Sequence, residues 1–388
     1  MSSSPVLPVE IWQAILRYAI SVYRFLDPDS FEPDLNDRFF SQPNEEDGEY
    51  WASERTRNVL RRVCVSFDQY LRRFEHRFVR MADILHGRVD EMALKSAIRI
   101  SFAIEQCACT AVCHPPERSG GPFTWAYRRY GELCCEKIWS FSFLPAEIVD
   151  MRGGQMRRVW NSGALRSLSK VKVVITQLIG GDGIDYPLFH QTPSIQHLCG
   201  TVYDDLLHLQ FVSRTLVSLS LRVDQEEACK RFLFDLPSLR HLHIRYSVDV
   251  RSSVFFAEVL MPLMQTSGAQ LRSLFVDGFD IQCTFPFEIW RLCPLLVRLE
   301  PSAIVTTPPP ESHPIRILVV QPYHLLDTLK WLWPNLACIF LDGIWSDLTT
   351  EHFNELYENW TREIKDGGVM LEDMNGLTVE EAMEAKRN

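Results

Sequence analysis

Leu239-Arg240-His241-Leu242-His243-Ile244, preceded by Leu236-Pro237-Ser238, is the stretch that decides how this chain folds. Leu242 and Ile244 alternate with histidines, the two-residue period of a strand with one face buried. Pro237 cannot continue a helix and biases the chain before it toward extended backbone, so a new strand starts here. The same Leu-x-x-Leu-x-Leu spelling, with aliphatic substitutions, returns at Leu168/Val171/Val173, Leu216/Leu219/Leu221, Leu271/Leu274/Val276 and Leu336/Ile339/Leu341. Weaker copies are Ile195/Leu198, Leu296/Leu299 and Ile315/Leu318/Val320, and successive copies start 19 to 32 residues apart. No single copy can bury its aliphatic side chains alone, so the copies must stack.

This pattern is similar to that of leucine-rich repeats, whose period is roughly 20–29 residues. The resemblance implies an α/β fold in which residues 161–345 form a solenoid, a curved parallel sheet with outer helices. The Asn or Cys that usually follows the motif is not repeated, since Asp224, Ser247, Phe279 and Ile344 occupy that place, so the solenoid is expected to be irregular. Beyond it, Thr350 caps a helix whose Phe353, Leu356, Tyr357, Trp360 and Ile364 form one apolar stripe. Residues 346–388 are therefore expected to be a capping helix and, from 369, a loosely held tail. A doubly wound α/β domain would alternate strands and helices in the same way. Its nucleotide-binding form needs a G-x-G-x-x-G loop, and Gly180-Gly181-Asp182-Gly183 lacks that spacing and reads as a surface turn.

Near the N-terminus, Leu7-Pro8-Val9-Glu10-Ile11-Trp12-Gln13-Ala14-Ile15-Leu16 reads as the start of an amphipathic helix over 8–23. Pro8 suits a first helical position, and Glu10 suits the positive end of the helix dipole. Leu7-Pro8-x-Glu10-Ile11-x-x-x-Ile15-Leu16 resembles the opening of an F-box. Leu60-Arg61-Arg62-Val63-Cys64-Val65-Ser66-Phe67 resembles its second half, with Phe67 where the family has Trp. Leu7 to Phe67 spans 60 positions, about twice the family's usual length. The excess is an acidic segment, residues 24–54, with ten Asp or Glu against Arg24 and Arg38. The split, loop-inserted form is similar to F-boxes of the large fungal families. The helical pattern resumes over 54–82, through Val59, Leu60, Val63, Phe67, Leu71, Phe74 and Phe78, so residues 1–85 read as the F-box-like module. Residues 86–160 read as a helical or irregular linker, or as first degenerate repeats.

The chain has 388 residues, a net charge of −10, 46% hydrophobic residues and eleven scattered cysteines. The negative charge argues against nucleic-acid and anionic-membrane binding. The first residues do not spell a signal peptide, and the odd cysteine count fits reduced thiols, so the expectation is an intracellular protein, cytoplasmic or nuclear.

The resemblance implies a non-enzymatic, monomeric substrate-recognition adaptor of a cullin–RING ubiquitin ligase, working without a cofactor. Its F-box would dock on the Skp-type adaptor of the cullin complex through Leu7, Pro8, Glu10, Ile11, Ile15, Leu16, Leu60, Val63, Cys64 and Phe67. Its repeats would hold an unidentified substrate protein. On the strands, residues that alternate with the inward aliphatics line the concave face, and Arg222, His243, Arg245, Phe275, Asp277, Phe340 and Asp342 are the candidate binding residues there. Arg222, His243 and Arg245 would make a basic middle, flanked by exposed Phe275 and Phe340, the residue types binding hot spots favour. The alternative is a repeat scaffold unconnected with ubiquitin. Cys107-x-Cys109-x3-Cys113-His114 with Cys134-Cys135 is the one metal-like cluster, but it lacks paired C-x-x-C spacing and reads as free thiols.

Overall fold

Leu219, Leu242, Leu274, Leu299, Leu318, Ile339 and Leu371 lie side by side at matching positions of successive parallel strands. All are buried. The row belongs to a computed structural model that describes residues 8–22, 26, 43–102, 133–134, 136–138, 140–151, 168–179, 194–202, 209–223, 232–247, 250–278, 288–301, 305, 307–320, 333–341, 345, 350–363, 368–373 and 376–387. The chain is α/β and divides into two compact units, Met1–Leu178 with Tyr186–Cys199 and Ile179–Asp185 with Gly200–Asn388.

The first unit opens with helices α1 (Val9–Ala19), α2 (Pro43–Leu60) and α3 (Val65–Leu71). Strand β1 (Phe78–Arg80) follows, then helix α4 (Met81–Leu85) and strands β2 (Arg99–Ser101), β3 (Ile148–Met151), β4 (Val173–Ile179) and β5 (His197–Val202). Val79, Ile100, Val149 and Val174 pair across β1 to β4 and are all buried. Each strand starts the same way. Arg77 O accepts from the Ile98 and Arg99 N–H groups, Ile98 O from Glu147 and Ile148, Glu147 O from Lys172 and Val173, and Lys172 O from Gln196 and His197, at 2.8–3.1 Å.

Three expectations are corrected here. Residues 54–82 are not one helix, because α2 stops at Leu60 and the chain turns before α3, while Phe78 lies on β1. Strands in register begin at Phe78, far ahead of residue 161. The first strong copy is shifted by three residues. Val171, not Leu168, matches Leu239, because its N–H bonds to Leu168 O just as Leu239 N–H bonds to Leu236 O.

In the second unit, β6 (Leu209–Val212) pairs with β8 (Phe232–Asp235). The main row runs β7 (Ser218–Val223), β9 (His241–Tyr246), β10 (Ser273–Asp277), β11 (Arg298–Pro301), β12 (Ile317–Val320), β13 (Cys338–Leu341) and β14 (Met370–Glu372). Helices α5 (Ser252–Phe255) and α6 (Met261–Ser267) are joined by a wide π turn, Phe256–Leu260; α7 (Ile289–Leu292), α8 (Thr350–Glu363) and α9 (Val379–Arg387) follow.

The turns before β9, β10, β11 and β13 share one form. The N–H groups of Leu239, Leu271, Leu296 and Leu336 bond the carbonyls of Leu236, Gly268, Cys293 and Trp333, three residues earlier. Ser194, Ser238 and Asn335 tie their own turns to the preceding ones: their side chains donate to Val171 O (2.7 Å), Arg214 O (2.6 Å) and His313 O (2.9 Å). The Pro-Ser and Pro-Asn pairs of the sequence are these ties. Gly268 is needed because a Cβ there would stand 2.7 Å from Leu292 O.

The C-terminal helix α8 buries Phe353 and Trp360, as its stripe predicts; Leu356 and Ile364 carry no described side chain. The loose tail is corrected. Residues 370–372 form β14, parallel to β13, and α9 buries Val379 and Ala382. Trp345 ties the segment down by donating from its indole to Leu377 O at 2.6 Å.

Candidate docking surface

The two halves of the N-terminal motif meet. Trp12 on α1 packs on Phe67 of α3 with ring centroids 5.6 Å apart. Tyr70 Oη donates to Gln13 O at 3.3 Å. Leu16 and Ile20 from α1 form one cluster with Tyr70 and Leu71, against which Leu60, Phe67 and Phe74 are partly buried. Asp68 bridges Arg61 and Arg72, both at 2.7 Å, and these guanidiniums, Arg72 first, hold its carboxyl below the usual carboxylate range.

A buried ionic network fixes these helices to the first strand. Arg77 donates to Ile20 O (2.7 Å), Ser53 Oγ (3.0 Å) and Glu54 Oε1 (2.8 Å), and Glu54 also bridges Arg57 at 2.7 Å. Charges removed from water persist only when paired and hydrogen-bonded, so these partners hold one another in place. Above the network, Tyr50 stacks edge-on against Phe78 at 5.2 Å beside Val22 and Leu26. Burial, then the Glu54 charge, pushes the Tyr50 hydroxyl well above its usual pKa. Sequence reasoning missed the network because Glu54 closes the acidic segment and Arg77 falls within 54–82, which reads as one helix.

Only part of the apolar arc of α1 is used in this packing. Leu16 is 3% exposed, whereas Ile11, Ile15 and Tyr18 are 46%, 45% and 75% exposed. At 3.6 residues per turn these three fall on one face, away from Leu16 and Ile20. Trp12 adds a half-exposed ring at its margin, and near the second half of the motif Val59, Val63 and Val65 are exposed as well. Cys64 between them is a free, exposed thiol. Exposed apolar side chains clustered on one helix face make a candidate interaction surface.

Several expected docking residues need reassignment. Leu16 is core, and Leu60 and Phe67 are partly buried supports. Pro8 precedes the helix with extended backbone (ψ 148°), so it occupies the cap and not the first helical position. Glu10 is exposed in the first turn, and Leu7 lies outside the described residues, as does most of the acidic segment. Ile11, Ile15, Val63 and Cys64 are exposed.

On the sheet of the second unit, the expected basic middle with exposed aromatics is corrected. His243 and Phe275 are both buried and touch edge-on, with centroids 3.9 Å apart. Side chains on adjacent strands stand about 4.8 Å apart and cover one another, which the alternation of the sequence cannot reveal. His243 Nδ1 lies 3.3 Å from Ser220 Oγ. Burial, and then the Arg245 charge, lowers its pKa to about 3, so it is neutral. Arg245 is neutralised by Asp277 at 2.5 Å. Arg222 is half-buried, Phe340 is half-buried beneath Arg298, and Asp342 lies outside the described residues.

Among the described residues no group of His, Cys, Asp and Glu could hold a metal ion. Cys107, Cys109, Cys113, His114 and Cys135 lie outside them, and Cys134 is buried. No helix among the described residues is long and apolar enough to cross a membrane.

Comparison with models of protein families gives no match, and comparison with curated proteins gives none. The reading of function therefore rests on the surface itself.

Proposed function

We propose that this chain is a substrate-recognition adaptor of a cullin–RING ubiquitin ligase. In this reading α1 and the turn into α3 form an F-box that docks on the Skp-type adaptor, and the leucine-rich-repeat strands hold a substrate protein. The observation that carries it is the unused apolar face of α1. Ile11, Ile15 and Tyr18 are exposed on a helix that Leu16, Ile20, Trp12 and the Arg77–Ile20 hydrogen bond hold firmly in position. A preorganised helix face with i, i+4, i+7 apolar anchors suits a helix-in-groove interaction. The joining of both motif halves through Trp12 and Phe67 adds to this, because the long segment between them does not keep them apart. The ligase's other subunits would supply the ubiquitin chemistry.

The test is co-purification of the full chain with a Skp-type adaptor and cullin. Wild type should retain the adaptor, and Ile11→Asp/Ile15→Asp should lose it while keeping the wild-type circular dichroism spectrum. A wild-type chain that retains no adaptor would sink the ligase reading and leave the repeat scaffold unconnected with ubiquitin.

A further inference from the structure

The residue just before each strand occupies one fixed place in the repeat, set by the carbonyl that accepts two successive N–H groups. In the first unit neighbouring occupants are Glu147 and Lys172, and they neutralise each other at 3.2 Å. In the second unit the occupants run Val217, Arg240, Arg272, Val297 and Arg316. Arg240, Arg272 and Arg316 are all exposed. Arg240 and Arg272 are direct neighbours, since the Arg272 N–H donates to Arg240 O at 2.8 Å. Arg316 stands two strands farther along, past Val297. At about 4.8 Å per strand the three form a row roughly 15 Å long.

None of the three makes an ion pair among the described residues, and nearby carboxylates on the same turns, Asp235 and Glu311, do not bridge them. Like charges on adjacent strands repel. Backbone hydrogen bonds join the strand starts, from Arg272 N–H to Arg240 O, Val297 N–H to Arg272 O and Arg316 N–H to Val297 O, so the backbone does not spread to relieve that repulsion. Such a row is stabilised by a ligand that supplies several negative groups along a line.

We infer that the Arg240–Arg272–Arg316 row is a docking surface for an extended, Asp- and Glu-rich segment of a partner protein. Each guanidinium presents a planar fork that matches a carboxylate, and the row is long enough for several side chains of an extended peptide. An extended segment advances about 3.3 Å per residue, with side chains on one face every second residue, so carboxylates repeat at a spacing the row can follow. Nucleic acid and anionic lipid fit less well. Both present charge over a broad field rather than along one line of carboxylates. This surface lies on the second unit and does not depend on how α1 is used.

The test measures fluorescence anisotropy of a labelled oligo-glutamate peptide against the full chain, with an oligothymidylate of similar length and phosphatidylserine vesicles as comparison probes. The expected result is salt-sensitive binding of oligo-glutamate that weakens by about tenfold or more in Arg240→Gln/Arg272→Gln/Arg316→Gln. Arg88→Gln, which removes an exposed arginine already bridged to Asp83, should leave that binding unchanged. So should Ile11→Asp/Ile15→Asp, which separates this inference from the proposed adaptor docking. The inference is overturned if wild type does not bind oligo-glutamate, if the triple variant binds it as wild type does, or if the row binds oligothymidylate or vesicles more tightly.

Discussion

Arg77 and Glu54 form a buried ion pair at 2.8 Å that fixes the second helix to the first strand. The same guanidinium holds the carbonyl of Ile20 just past the end of the first helix. Three segments distant in sequence thus share one charged side chain. Glu54→Gln leaves Arg77 and Arg57 buried without their counter-charge, and breaking a buried pair in this way costs about 3–5 kcal/mol. Urea denaturation should show a loss of that order. A loss below about 1 kcal/mol, the range of an exposed pair, would show that the network does not hold the helices.

Leu16 and Ile15 are neighbours with opposite roles. Leu16→Asp places a charge in the cluster with Tyr70 and Leu71 and should cost about 4 kcal/mol or more. Ile15→Asp changes an exposed residue and should stay within about 0.5 kcal/mol of wild type. Thermal melts of the two variants check the pair. Leu16→Asp is accordingly unsuitable as a docking control, because unfolding would mimic lost binding.

Gly278 sits against the ring of Tyr246, and an added Cβ would overlap it at 1.9 Å. Tyr246 cannot yield easily, since it is buried, stacked on Phe255 at 4.4 Å, and bonded to Ser252 Oγ. Gly278→Ala should destabilise the second unit by about 1–3 kcal/mol. Combining it with Tyr246→Leu should recover part of that loss, which a double-mutant cycle would measure.

His243 makes stability depend on pH with a definite sign. Its folded pKa is lowered to about 3 from 6.5, so over that interval the unfolded chain binds the extra proton. The stabilising contribution is complete above about pH 6.5 and declines as pH falls, by up to about 1.4 kcal/mol per pH unit. His243→Leu should flatten the stability profile between pH 6.5 and 5, above the range where most carboxylates titrate. Parallel profiles for wild type and variant would contradict the buried, neutral imidazole.

The last strand is a load on the row of aliphatic side chains, not an appendage. Leu371 is buried beside Ile339, so Leu371→Ala should cost about 2–5 kcal/mol. Limited proteolysis should then cut between α8 and β14 more readily than in wild type.

The repeat spelling was most legible where a proline-bearing turn precedes it. Leu239 stands two residues before β9, Leu296 two before β11 and Leu336 two before β13, as the pattern implies. It misled at Leu168, because Leu168, Val171 and Val173 fit the same spelling and only the turn hydrogen bond selects Val171. The strands around Val79 and Val149 escaped because each has only three or four residues and carries charge, such as Asp150 of the buried Arg99–Asp150 pair at 2.7 Å. Periodicity needs a longer window than that to register. The amphipathic α1 was visible, but not which part of its apolar arc stays exposed, since that depends on Tyr70 and Leu71 arriving from more than fifty residues away.

The turn ties of Ser194, Ser238 and Asn335 have one more consequence. Equivalent strand positions are separated by as few as 19 residues, from Leu299 to Leu318, and by as many as 49, from Ile100 to Val149. The hydrogen bonds at the strand starts are nevertheless the same. Among the described residues the recurring bonds lie at that edge, so a copy can acquire or shed chain on its return path without shifting its neighbours. The array can therefore diversify by insertion, one copy at a time, while its backbone pairing stays unchanged.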